Sequence, residues 1–500
     1  MSEARLFDFS FNHAVKLRAE TPRVTADAGV LLLREIDHRL GITSGLADVL
    51  QDNRDQRFVR YSMTELLRER LYAFALGFAR QDDADRLAHD PAFRTAVWDR
   101  SGCKVADERL ASQPTSSRLV SLLAGWHNRE ILRQFLSEPV LQHQRQSGDD
   151  RRVSLGVVDI DGFPVETHGE QQGAVYNGYY QKTVYSPLAA YFSPNGDFAS
   201  RRLGEGFIHA VLRDGNAAPA EGMDLFLQHA IEKASNLAKT IAFRLDAGFA
   251  SADILNQIDR AGARFAVRLP HNALLDKLAA PWLSRPTGRP PREGYEFAVE
   301  LTGYKNHNWD KEYRVILVVV DKPDKNGCLS LFPHYFFIAT NWPTERMSPW
   351  EILEHYRQRG TFEDRLGEWN ALGVTLSQDT FAKNEATLLL SMLAFNLLEA
   401  LRGEMESASD SRPNPPHTPA GSGFDMSRFR HVILKAGAIL ARGAGSLSFD
   451  LAEGIAPLWL ALLDRLKRWP QREPHSTSIP HRSFLMPPPR HAFLNFTPRM

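Results

Sequence analysis

The chain has 500 residues, and its 60 basic and 60 acidic side chains give a formal net charge of zero at pH 7. With 43% hydrophobic and 24% charged residues, the composition is typical of a globular protein of about two to four domains. The chain has two cysteines, Cys103 and Cys328, which excludes a disulfide framework and a cysteine zinc site and predicts a cytoplasmic location. No apolar run is expected to cross a bilayer and no signal-peptide core opens the chain, so we expect no membrane partner.

The N-terminal region, residues 1–150, is predicted to be mainly helical. Apolar residues recur at helical spacing over 30–40 and 63–79, and again within 117–135. This pattern is compatible with a helical DNA-binding module, although the pattern alone does not demonstrate one.

The central region, residues 151–402, is predicted to have a mixed α/β fold. Three strands in a meander are followed by alternating helices and strands, an order that is consistent with a ribonuclease-H-like sheet. The core strands are predicted at 153–160, 183–192, 206–212, 240–245 and 264–269. A β-rich insertion is predicted at about 283–345, with strands at 295–301, 313–320 and 334–340. Helices are predicted at 224–238, 252–261, 349–369 and 381–401.

The rest of the chain is predicted to contain a linker, a helical region and a tail. Residues 403–425 are rich in Ser, Pro and Gly, which is typical of a flexible linker. Two helices, at 427–442 and 452–469, are predicted to form a helical C-terminal region over 426–470. Residues 471–500 are predicted to be a basic, proline-rich tail.

Three acidic residues are candidates for a metal site. In-line displacement at a phosphodiester uses two divalent ions roughly 4 Å apart, and Mg²⁺ prefers carboxylate oxygens. Asp161 and Asp246 are placed where the first and fourth predicted strands end, and those strands can lie side by side. Glu363, on a later helix, would complete a two-metal site for Mg²⁺, with Mn²⁺ as a substitute.

The helix that carries Glu363 also carries a ring and a cation on the same face. Tyr356, Arg359 and Glu363 stand at i, i+3 and i+7, which suits a phosphate contact beside a metal ligand. Simpler interpretations remain open at this point: Arg359 and Glu363 as a surface salt bridge, and the aspartates as turn residues. Asp159 lies two residues before Asp161 on the same face of its strand, so it is a rival first ligand.

Three blocks in order along the chain resemble DDE-type insertion-sequence transposases of the IS4-like superfamily, closest to insertion-sequence family thirteen-eighty. The blocks are Val158-Asp159-Ile160-Asp161 with Asn177-Gly178-Tyr179-Tyr180, then Phe243-Arg244-Leu245-Asp246-Ala247-Gly248-Phe249, then Tyr356-Arg357-Gln358-Arg359-Gly360 with Glu363. The resemblance spans roughly residues 20–402.

The resemblance implies a bacterial cut-and-paste transposase. Residues 1–150 would bind the terminal inverted repeats, and residues 151–402 would be a ribonuclease-H-like catalytic domain joining freed 3′-hydroxyls to target DNA. Asp161, preferred over Asp159, would bind metal with Asp246 and Glu363. Tyr356, Arg357 and Arg359 would bind DNA. The resemblance further implies double-stranded DNA as partner, a homodimer in the synaptic complex and association with the nucleoid when the protein is bound to DNA.

The chain departs from the family pattern in two places. Gly162 and Phe163 stand where the family usually has Ser or Thr, and Asn370 stands where it has Lys or Arg. Two alternative functions are kept: a ribonuclease-H-fold DNA nuclease without strand transfer, and a catalytically impaired DNA-binding protein derived from a transposase.

Overall fold

The computed structural model describes residues 23–146, 152–167, 169–194, 204–285, 293–324, 327–410, 425–443, 445–452 and 454–469, with the backbone alone of 6–9, 12–18, 409 and 410. The helices are α1 (Val30–Leu40), α2 (Ile42–Val49), α3 (Met63–Leu76), α4 (Asp83–Leu87), α5 (Pro91–Val97), α6 (Gln113–Leu123), α7 (Trp126–Phe135), α8 (Glu138–Arg145), α9 (Met223–Leu237), α10 (Ala252–Arg260), α11 (Ala273–Ala279), α12 (Pro349–Arg357), α13 (Gly360–Asn370), α14 (Phe381–Asp410), α15 (Met426–Phe429) and α16 (Ala456–Lys467). The strands are β1 (Leu6–Phe9), β2 (Asn12–Arg18), β3 (Val24–Thr25), β4 (Val153–Gly162), β5 (Val165–Glu166), β6 (Val175–Asn177), β7 (Lys182–Tyr185), β8 (Leu188–Pro194), β9 (Gly206–Val211), β10 (Ala238–Leu245), β11 (Arg264–Leu269), β12 (Tyr295–Leu301), β13 (Arg314–Asp321), β14 (His334–Thr340), β15 (Ala438–Gly443) and β16 (Ser446–Leu451).

An eight-stranded mixed sheet, in the order β12-β13-β14-β11-β10-β4-β8-β9, forms the centre of the fold. Strand β10 is parallel to both β4 and β11, whereas the other neighbours are antiparallel. Val157, Val158 and Ile160 of β4 are fully buried, as expected for a central strand that is covered on both faces. The predicted mixed α/β fold is therefore confirmed, and so is the prediction that the first and fourth strands of the core lie side by side.

Helices cover both faces of this sheet. Residues of α9 and α10 share a core with Val158 and Phe243 on one face. On the other face, α12 packs over the strands near β11, and α14 packs beside Tyr191 and Phe207. The three strands that were predicted between 283 and 345 are present, and β14 pairs with β11 so that they extend the same sheet.

The C-terminal region is not wholly helical, so the prediction of a helix over 427–442 is wrong. After α15 and a short π-helical turn (Arg430–Leu434), β15 and β16 form an antiparallel hairpin, and β15 also pairs with β3. The apolar residues of this segment suit either structure, and the pairing with β3 from the far end of the chain selects the strand. Gly445, at φ +87°, permits the turn between the two strands.

Helix α14 is longer than predicted and continues to Asp410, through the first residues of the predicted linker. The rest of that linker, 411–424, and the predicted tail, 471–500, lie outside the described residues. Over Phe381–Ala408 the helix is long and apolar enough to cross a membrane, contrary to the expectation that no run reaches that length, but its apolar window is entirely buried inside the protein. It shares one hydrophobic core with α1, α3 and α16.

Glu69 of α3 is a buried acid whose ionisation should oppose folding. One carboxylate oxygen accepts a hydrogen bond from the Ala111 amide at 3.2 Å, whereas the other has no hydrogen-bond partner. Burial, the largest cause, raises the pKa of Glu69 from 4.5 to about 8.

We therefore expect the free energy of unfolding to decrease as the pH rises from about 4.5 to about 8, because the folded state retains a proton there that the unfolded state has released. The Glu69→Gln variant has no such proton, so its advantage over the unaltered protein should grow across this window, by up to about 1.4 kcal/mol per pH unit. Urea unfolding of both proteins at pH 5 and pH 8 measures the difference. Parallel pH profiles would contradict the prediction.

Candidate active site

Two aspartates meet at the carboxyl ends of adjacent parallel strands. Ile160 of β4 is in register with Leu245 of β10, so Asp161 and Asp246 each follow the last registered pair by one residue. Asp161 belongs to β4 itself, and Asp246 follows β10 directly. The carboxyl ends of parallel strands are a common place for ligand sites in α/β sheets.

Asp159 lies two residues before Asp161 in β4 and forms an ion pair with a buried arginine. Arg244 Nε and Nη2 donate to the two carboxylate oxygens of Asp159 at 2.7 and 2.6 Å, and both side chains are fully buried. Burial raises the pKa of Asp159, and the Arg244 guanidinium opposes that rise. A carboxylate with both oxygens in a bidentate pair is poorly placed to bind a metal, which favours Asp161 as the first ligand.

The predicted single helix over 349–369 is two helices, α12 and α13, that meet at Gln358 and Arg359. Arg244 Nη1 donates to the backbone oxygen of His355 at 3.0 Å, the oxygen that a regular helix would pair with the Arg359 amide. The Arg359 amide instead donates to the Tyr356 oxygen at 3.0 Å, a tighter turn. The two helices also pack into different cores, with Ile352 of α12 in one and Phe362 of α13 in another.

Arg359 bridges two of the candidate ligands. Its Nη2 donates to Asp161 Oδ2 at 2.6 Å, and its Nη1 donates to Glu363 Oε1 at 3.4 Å. The Glu363 side chain is 65% exposed, whereas that of Arg359 is 10% exposed. The pair is therefore not the surface salt bridge that the sequence left open, because the arginine is buried between a strand and a helix.

The electrostatics show that the acids and Tyr356 share one environment. Burial, the largest cause, raises the pKa of Asp161 to about 6; Arg359 opposes the rise, and the charges of Asp246 and Glu363 add to it. Burial likewise raises the pKa of Tyr356 to about 12, with further effects of Arg359 and Asp246. Tyr356 therefore stays protonated and can donate a hydrogen bond at neutral pH.

Arg357, also predicted to contact DNA, is directed elsewhere. It forms ion pairs with Glu354 of α12, at 2.8 Å, and with Glu296 of β12, at the far edge of the sheet. The structure thus brings together Asp161, Asp246, Tyr356, Arg359 and Glu363, but not Arg357.

Within the described residues, no three His, Cys, Asp or Glu side chains are close enough together to form a metal cluster. The reason is visible at Arg359, whose guanidinium lies between Asp161 and Glu363. The residues nevertheless fit a divalent cation, because like charges converge at Asp161 and all the donors are carboxylate oxygens. The Nε atom of Arg359 is buried without a hydrogen-bond partner, so this contact does not satisfy the whole guanidinium.

The structure shows the surroundings of Gly162, Phe163 and Asn370, the residues that depart from the family pattern. Phe163 packs edge-on against Trp369 of α13, with ring centroids 5.6 Å apart, and so joins the end of β4 to the helix of Glu363. A Cβ atom at Gly162 would lie 2.8 Å from Arg213 Nη2, and four backbone oxygens hold that guanidinium. Asn370 lines a pocket that also contains Lys182, a cation paired with Glu166 at 2.5 Å.

Arg244 is the residue whose role was missed from the sequence. It is the next-to-last residue of β10, where it follows the apolar run of Ile241, Ala242 and Phe243 and precedes Leu245. A charged residue within a buried apolar run rarely lacks a partner, and this was the available signal.

The two aspartates of β4 should respond differently to substitution. Asp159→Asn should lower the free energy of unfolding by about 3 kcal/mol, because it leaves the Arg244 charge buried without its partner. Asp161→Asn should change it by less than about 1 kcal/mol, because the contact with Arg359 is offset by the burial of the carboxylate and by the charges of Asp246 and Glu363. Urea unfolding of the two variants measures both effects, and equal losses would refute this division between a structural and a site aspartate.

Comparison with known proteins identifies the family. The family described as "Transposase DDE domain group 1" matches residues 7–471 of the chain. No curated protein matches the sequence significantly. A cryo-EM structure of the piggyBac transposase synaptic complex with hairpin DNA is similar with a TM-score of 0.41 and 10% identity, covering 92% of this chain and 90% of that one. A TM-score of that size leaves the assignment to the sequence match alone, and by that match the chain belongs to the family of DDE-domain transposases.

Proposed function

We propose that this protein is a DNA transposase that cleaves the ends of its element and joins them to target DNA. The observation that carries the proposal is the convergence of Asp161 and Asp246, at the ends of adjacent parallel strands, with Arg359 and Glu363 from the α12–α13 junction. The family assignment over residues 7–471 supports the same conclusion.

The finer features of the proposal follow from the sequence resemblance. Strands β9-β8-β4-β10-β11 would be the ribonuclease-H-like core, and β12–β14 its insertion. The element would be a bacterial insertion sequence of family thirteen-eighty that moves by cut-and-paste transposition. Residues 1–150 would bind its terminal inverted repeats, a homodimer would pair the two ends, and the protein would act in the cytoplasm at the nucleoid.

The chemistry assigns a task to each residue of the site. Asp161, Asp246 and Glu363 would hold Mg²⁺, or Mn²⁺ in its place, which supplies charge stabilisation to the attacking and leaving oxygens when bound. Arg359, freed from Asp161, would bind a non-bridging phosphate oxygen through its planar guanidinium. The protonated Tyr356 hydroxyl would donate to the same phosphate group.

Removal of one ligand tests the site. Asp246→Asn should reduce cleavage of a transposon end by at least about a hundredfold while sparing DNA binding, because it removes charge stabilisation of the transition state only. The measurement is cleavage of a labelled duplex carrying the element's own end in Mg²⁺ buffer, together with a mobility-shift assay. Asp253→Asn, at an exposed acid in the first turn of α10, is the matched control and should cut at the unaltered rate. Cleavage by Asp246→Asn at that rate would refute the assignment.

A pre-cut end separates transposition from simple hydrolysis. Given a duplex that already ends in the free 3′-hydroxyl, the protein should join that end to a second, unrelated duplex, and gel analysis would show the branched product. A nuclease would cut the intact end but give no joined product. A transposase-derived DNA-binding protein would shift the duplex and do neither.

A further inference from the structure

The hairpin of β6 and β7 presents a group of tyrosines to solvent. Tyr176, Tyr179 and Tyr180 are 64%, 88% and 42% exposed. Leaving large aromatic side chains exposed to water costs free energy. A local group of exposed aromatic residues is therefore a common sign of a binding surface. We call residues 177–181 the tyrosine turn.

The tyrosine turn is held rigidly by its own hydrogen bonds. The Asn177 side-chain oxygen accepts from the amides of Tyr179 and Tyr180 at 3.0 and 3.3 Å, and its amide group donates to the Gly215 oxygen at 3.3 Å. Gln181 adopts φ +54°, a left-handed conformation that costs free energy for a residue other than glycine. The rings of Tyr179 and Tyr180 pack edge to face, with centroids 5.0 Å apart. The backbone of the turn is therefore fixed, and it presents the two rings side by side.

The tyrosine turn borders the candidate active site. Tyr180 lines a pocket of about 460 Å³ whose other walls include Pro164, which follows β4, and Asn370, at the end of α13. Those two elements carry Asp161 and Glu363. Burial raises the pKa of Tyr180, and the charges of Tyr179 and Asp161 add to the rise, which agrees with this placement. A DNA strand with its phosphodiester at the acids would therefore run past the two rings.

We propose that Tyr179 and Tyr180 form a stacking platform for one or two unpaired bases of the DNA strand beside the scissile phosphodiester. Exposed aromatic rings on a well-held turn suit the faces of nucleobases, and such stacking tolerates any base because each has a π face. The acids at the strand ends repel a phosphate unless cations are present, so an uncharged contact of this kind can hold the DNA strand without adding to that repulsion. The platform rests on the proposed function, because it requires DNA at the acidic site.

The test combines protein variants with DNA that lacks single bases. The probes are duplexes carrying the element's own end, either intact or with one abasic site at each of the three positions on either side of the cut. Dissociation constants are measured by fluorescence anisotropy for the unaltered protein, for the variant carrying both Tyr179→Ala and Tyr180→Ala, and for Tyr176→Ala. Tyr176→Ala is the matched control, because that tyrosine is exposed on the same hairpin but lies outside the turn.

The double variant should bind the intact duplex about tenfold more weakly, since each stacked base contributes roughly 1–3 kcal/mol. On the duplex whose abasic site removes the stacked base, the double variant and the unaltered protein should have the same dissociation constant. Tyr176→Ala should lose less than about twofold in affinity for either probe. The variant carrying Tyr179→Phe and Tyr180→Phe should retain tight binding, because it keeps the rings.

Three results would overturn the platform. An equal loss on intact and abasic duplexes would show that the tyrosines do not contact a base, and no loss at all would show that they do not contact DNA. A change in sedimentation of the double variant without DNA would make the turn a protein interface. If the unaltered protein cuts the end and the double variant binds DNA with the same affinity as the unaltered protein, only the platform proposal fails. If the unaltered protein does not cut, the proposed function fails as well.

Discussion

The buried pair of Arg244 and Asp159 is the interaction on which the arrangement of the site depends. It joins the two central parallel strands, and through the His355 oxygen it also joins the sheet to the end of α12. Burying two charges has a large desolvation cost, so such a pair contributes little net stability, but loss of one partner is severe. The pair matters because of the elements that it holds in place. It fixes the point where α12 ends and thereby places Tyr356 and Arg359 above the ends of β4 and β10.

The three carboxylates of the site carry more negative charge than the surrounding side chains neutralise. Arg359 is the cation that contacts two of them, Asp161 and Glu363. Asp161 is buried enough for its pKa to rise to about 6, although a guanidinium touches it. A divalent ion would compete with Arg359 for the same oxygen. The arginine would then be available to a phosphate group that arrives with the ion, so one residue can serve the empty and the loaded site.

The sequence was a good guide wherever local pattern and tertiary structure agree. Most strands of the central sheet, the neighbouring positions of β4 and β10, and the helices α1 and α9 follow from apolar runs and helical spacing. The single strand predicted over 183–192 is wrong, because it divides into β7 of a small three-stranded sheet and β8 of the central sheet. Prediction from the sequence failed where a residue far away in the chain determines the local secondary structure. The break before α13 depends on Arg244, over a hundred residues away in sequence, and the hairpin of β15 depends on β3. Arg357 looked equivalent to Arg359 in the motif, and only the position of Glu296 separates the two.

The burial of α14 has a consequence for how the chain acquires its structure during synthesis. The apolar faces of α1 and α3 are completed by a helix that begins some three hundred residues later, at Phe381. At about 5–20 residues per second, the ribosome needs on the order of tens of seconds to reach that helix. Until then the early helices expose their apolar surface, and contacts this distant in sequence form slowly. The nascent chain therefore passes through a period in which this apolar surface is open to aggregation, and that period ends only when α14 emerges.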